Sequence, residues 1–132
     1  MSFREKSAWI SLGAFAVVGA VYFLYVQRSL QPARGFLLCI LAFVAIEVAG
    51  HVMIALRSPR DARAPKDERE RLIELRALRL GAYVYVVGSF VAVHTLHHGA
   101  DAIAVGNGVL LAFLVAELVN YGARITFHRR GF

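Results

Sequence analysis

Two groups of residues in this chain have the types and spacing to do chemistry. Glu47 and His51 are four apart in FVAIEVAGHVMIAL, about 40° from each other on a helical wheel at 100° per residue. A carboxyl and an imidazole on one helical face can share a proton, hold a cation, or hydrogen-bond to a neighbouring helix. In AELVNYGARITF, residues Glu117, Asn120, Tyr121 and Arg124 recur at three, four and seven, which makes one polar stripe on a helix. The second group is His94, His97 and His98 with Asp101 close behind, where imidazoles and a carboxylate suit Zn, Cu or Fe. That set lacks the glutamate of an HExxH motif, and Asp101 has an alternative role as N-cap of the helix that begins AIAVGNGVLL. The leading expectation is no cofactor, with a metal at the outer histidines as the alternative.

A hydrolase would need a nucleophile with an oriented base, and Ser11 and Ser89 have no evident partner in the sequence. No catalytic residue is assigned, and the chain reads as non-enzymatic. With one cysteine, Cys39, neither an internal disulfide nor a CxxC pair can form.

The elements that position these groups follow from composition. The 132 residues are 58% hydrophobic, with a mean hydropathy of +0.58, too apolar for a domain with a watery surface. About 20 apolar residues at 1.5 Å each cross a hydrocarbon core of about 30 Å. Four runs qualify: Ala8–Val26, Phe36–Leu56, Leu80–Leu96 and Ala102–Ala123. The first, at 19 residues, exceeds the roughly 7–15 of a signal-peptide core and reads as a retained span. Backbone groups in lipid must be paired within the segment, so the fold class is all-α, a four-helix integral membrane bundle in one domain. Counted from the middles of their spans at about 1.5 Å per residue, His51 and Glu117 lie at similar depth, where they could meet in the bundle interior.

Thirteen of the fifteen Lys and Arg fall before the first span, between residues 57 and 79, or after the fourth. By the positive-inside rule both termini and the 57–79 segment are cytoplasmic, in a bacterial inner membrane. Trp9 at the inner end and Tyr22 and Tyr25 at the outer end of the first span are expected as headgroup-level anchors. Pro32 and Gly35 mark the outer turn that follows. Pro59 and Pro65 are expected to break the cytosolic segment, with Pro65 and the acids after it suited to a first helical turn, so that a helix starts at Asp67 and runs on as the third span. Its charged part, with Asp67, Glu68, Arg69, Glu70, Arg71 and Arg79, joined by Arg129 and Arg130, is expected to contact anionic lipid headgroups or dock a cytosolic protein. The positive charges follow the membrane and lack a basic recognition fold, which excludes nucleic acid. Small residues such as Ala42, Ala45, Ala49, Gly81 and Gly88 allow close helix contact and favour a homo-oligomer.

At DERERLIELRALRLGAYVYV, residues 67–86, and AELVNYGARITFHRRG, residues 116–131, the chain resembles a DUF2178-like family of small bacterial four-span membrane proteins of unknown function. The resemblance rests on Asp67, Glu68, Arg69, Glu70, Arg79, Glu117, Arg129 and Arg130, and implies four spans and work alongside a small cytosolic DNA-binding regulator. The function expected is therefore a regulatory or partner-binding membrane subunit acting through its charged helix. The alternative is a proton-linked or cation-binding transporter or channel using Glu47, His51 and Glu117, since ionisable groups at such depths mark function by default.

Overall fold

Proline, aspartate and glycine set the helix ends in the computed structural model, which describes residues 3–130. Pro32 stands at the start of its helix, where its fixed φ and missing N–H cost nothing. Asp67 caps the helix that follows it, its Oδ1 accepting the Glu70 N–H at 2.7 Å. Gly99, at φ 84°, ends a 3₁₀ turn in the left-handed region that a side chain would disfavour.

The resulting elements are α1 (Phe3–Leu24), α2 (Pro32–Arg57), α3 (Pro59–Arg63), α4 (Glu68–His94) and α5 (Ala102–Arg130), with 3₁₀ turns at Val26–Arg28 and Thr95–His98. Among the described residues there is no strand, and four helices are long and apolar enough to cross a membrane. The third candidate span and the charged stretch before it are one unbroken helix, as expected, starting at Glu68 directly after the Asp67 cap. Three expectations need correction. Pro59 opens the short α3 rather than only breaking the chain, because a proline fits a first helical position. Pro65 lies ahead of the Asp67 cap instead of in the first turn of α4. Gly35 is inside α2, not in a turn.

The chain divides into two units, Met1–Lys66 and Asp67–Phe132, each an antiparallel helical pair. In the first, α1 and α2 meet in successive layers: Ser7 with His51, Ser11 with Glu47, Phe15 with Phe43 at 4.5 Å between ring centroids, and Tyr22 with Phe36 at 5.4 Å. Tyr22 is thus buried, not the outward anchor expected of it, because Phe36 offers its ring an edge-on partner. Trp9 and Tyr25 do face outward.

In the second unit the contact runs along small residues on both helices. On α5 Gly108, Ala112, Ala116 and Asn120 repeat every fourth residue, one face of a helix. Opposite them stand Ala92, Gly88 and Gly81: a Cβ added at Gly88 would fall 2.7 Å from the Ala112 Cβ, and one at Gly81 would fall 2.9 Å from the Ala116 carbonyl oxygen. Such close approach is how helices associate where lipid removes the hydrophobic drive between them. One hydroxyl is misplaced, since Ser89 Oγ is buried with no hydrogen-bond partner among the described residues. An unmade buried bond is costly, so Ser89→Ala is expected to raise stability by about 1 kcal/mol, read as a higher midpoint of SDS-induced unfolding.

Candidate functional site

Two polar clusters form within the apolar helices, one in each unit. In the first, two i,i+4 pairs face each other. Ser7 and Ser11 sit one turn apart on α1, Glu47 and His51 one turn apart on α2. The Ser7 Oγ to His51 Nε2 distance is 2.6 Å, and Ser11 Oγ donates to Glu47 Oε2 at 3.0 Å. His51 Nδ1 is 2.8 Å from the backbone oxygen of Glu47 and 3.3 Å from its Oε2. A carbonyl oxygen only accepts, so Nδ1 carries a hydrogen. Glu47 Oε1 is buried and has no hydrogen-bond partner among the described residues. The sequence expectation for Ser11 is corrected here: it has a partner in Glu47. Ser7 escaped notice altogether, although two hydroxyls four apart on α1, matching the four-residue spacing of Glu47 and His51, are the signal that could have found both.

The second cluster unites the stripe on α5. Asn120, 3% exposed, donates through Nδ2 to Glu117 Oε2 at 3.1 Å, and its Oδ1 accepts from Arg124 Nε at 3.1 Å. Arg124 also lies over the Tyr121 ring, 5.2 Å from its centroid, and its Nη1 reaches Glu74 Oε1 on α4 at 3.5 Å. All four expected residues are therefore brought together. Glu74 is the missed member; its signal was a carboxylate between Ile73 and Ala77, the residues by which this part of α4 is buried. The arginine is always charged and only donates, so it fixes the amide: Oδ1 must face Arg124 and Nδ2 must face Glu117.

The outer histidines are close but do not make a ligand set with Asp101. The His94 ring stacks on His97 at 5.4 Å and meets His98 edge-on at 5.2 Å. All three are exposed, where α4 gives way to the 3₁₀ turn. Asp101 Oδ1 accepts the Ala104 N–H at 2.7 Å, the capping role. Among the described residues no group of three His, Cys, Asp or Glu is disposed to hold a metal ion.

The charged part of α4 has two faces. Ile73 and Ala77 are 2% and 0% exposed, while Leu72, Leu75 and Leu78 are exposed together with Arg69, Arg71, Arg76 and Arg79. Asp67, Glu68, Arg69, Leu72, Ile73 and Arg76 line a shallow groove at its start. Arg129 and Arg130 are exposed at the end of α5.

The fold and these clusters define an all-helical protein with four helices able to cross a bilayer and polar groups set between them. No family model, curated protein or solved structure matches the chain.

Proposed function

We propose that the chain is a non-enzymatic, multi-pass protein of a bacterial inner membrane, with both termini and residues 57–79 cytoplasmic, whose charged helix contacts anionic headgroups and presents a face to a regulatory partner. The observation that carries this reading is the outward face of α4. Leu72, Leu75 and Leu78 alternate there with Arg71, Arg76 and Arg79, on a helix continuous with the third span. Leucines that dip into the headgroup layer while arginines meet phosphate suit a segment at the cytoplasmic interface. Membership of the DUF2178-like group is part of the same proposal, on the residues of α4 and α5 that carry the resemblance, and so is assembly into a homo-oligomer. The test is amide hydrogen exchange of the full chain in bilayers with and without anionic lipid. Protection over residues 68–79 that grows with the anionic fraction supports the reading, and exchange indifferent to it contradicts it.

A second reading, a proton-linked role, is favoured by the buried and unpartnered Oε1 of Glu47 beside His51. Both groups belong to a stretch whose length and hydropathy suit a span.

A further inference from the structure

Two carboxyls stand within the apolar stretches, and the chemistry of their partners is opposite. Glu117 Oε2 accepts from an amide nitrogen, which has only hydrogens to offer. Behind that amide stands Arg124, likewise a donor only. These partners match an ionised carboxylate and have nothing to accept a proton from an acid.

Glu47 and His51 are met by hydroxyls instead. Ser11 Oγ, 3.0 Å from Glu47 Oε2, can donate to a carboxylate or accept from a carboxylic acid. The same is true on the imidazole. Because Nδ1 faces a carbonyl at 2.8 Å and keeps its hydrogen, Nε2 is the atom that gains or loses a proton, and it faces Ser7 Oγ at 2.6 Å. That hydroxyl can donate to the bare nitrogen or accept from the protonated one. Every side-chain hydrogen bond of the pair can therefore survive a change of protonation by turning a hydroxyl, while His51 Nδ1 and Glu47 Oε2 stay 3.3 Å apart.

We propose that Glu47 and His51, held by Ser7 and Ser11, form a proton-exchange site, and that Glu117 is a structural hydrogen-bond acceptor outside it. This rests on the proton-linked reading and narrows it to one pair. The other charged or titratable groups on the elements packed against the pair are Arg4, Glu5 and Lys6 at the start of α1, Arg57 at the end of α2, and Arg60, Asp61 and Arg63 on α3; toward the opposite end lie Tyr22, Tyr25, Arg28, Arg34 and Cys39. Arg4 donates to the Ala64 carbonyl, and Glu5 is buried on α1.

Dicyclohexylcarbodiimide reacts with protonated carboxyls in apolar surroundings: the acid proton moves to a carbodiimide nitrogen, the carboxylate oxygen adds to the central carbon, and rearrangement leaves a stable acylurea. The full chain reconstituted in lipid is treated across a pH series and the adduct is mapped by mass spectrometry. The expected result is modification of Glu47 at acid pH that is lost as pH rises, with Glu117 unmodified. Glu117→Gln should keep the adduct and Glu47→Gln should lose it. His51→Asn should displace the pH profile of labelling, which a merely structural histidine would not do. Labelling at Glu117 in place of Glu47 would overturn the assignment while leaving a proton-linked role intact. No adduct on either carboxyl at any pH would remove both, and mapping the unaltered protein needs no variant to fold.

Discussion

Replacing Gly88 by leucine is expected to disrupt the α4–α5 pair more than any other single change. Even a methyl group at this position would lie 2.7 Å from the Ala112 Cβ, and neither a backbone nor an alanine can swing aside as a long side chain would. Overpacking a close contact costs typically 1–3 kcal/mol, and the larger leucine places the variant at about 3 kcal/mol or beyond. The cause can be isolated with a smaller pair of changes. Gly88→Ala alone should destabilise, and adding Ala112→Gly should recover most of the loss, because the two methyls occupy one space. The midpoint of SDS-induced unfolding measures both. Equal midpoints for Gly88→Ala and the unaltered protein would show that the helices do not meet along this stripe.

The joint change of Arg71, Arg76 and Arg79 to glutamine is expected to weaken the grip of α4 on anionic lipid by about 3 kcal/mol, or roughly two orders of magnitude in affinity. Each arginine at a membrane surface contributes about 1 kcal/mol, and all three are exposed. None is among the residues that fasten α4 to α5: Ile73 and Ala77 are buried and Glu74 pairs with Arg124. The hairpin should therefore survive the change. The readout is the anionic-lipid-dependent protection of residues 68–79 in hydrogen exchange. Screening by salt should weaken it in the unaltered protein and leave the triple variant unaffected. Protection of the variant equal to that of the unaltered chain would assign it to helix packing instead of lipid.

The helices were legible because length and hydropathy act locally. Asp101 was readable as a cap because an aspartate before an apolar helical run has one dominant use, whereas Asp67, expected as the first helical residue, is the cap one position ahead of the helix. The 3.6-residue period placed Glu117, Asn120, Tyr121 and Arg124 on one stripe, and the structure joins them as hydrogen-bonded or stacked neighbours. What periodicity on one helix cannot reveal is the register against another. Ser7, Ser11 and Glu74 gain their roles only when an antiparallel neighbour brings His51, Glu47 and Arg124 opposite. Tyr22 was misread for the same reason. An aromatic near the end of an apolar run suits an interface anchor or an interhelical contact equally, and only Phe36 decides. For the outer histidines, spacing brought the three rings into contact, and Asp101 takes the capping role it was also expected to have.

Orientation in the membrane is the claim on which the rest depends, and cysteine accessibility tests it most directly. With Cys39 replaced by alanine, single cysteines are placed at Ala64, in the charged segment, and at Ala100, beyond the outer histidines. Intact cells are then treated with a membrane-impermeant maleimide. Ala100→Cys is expected to react in intact cells and Ala64→Cys only after the membrane is opened. The opposite pattern would invert the topology and place the arginine face of α4 outside the cell. Reaction of both in intact cells would contradict a protein that crosses the bilayer between them.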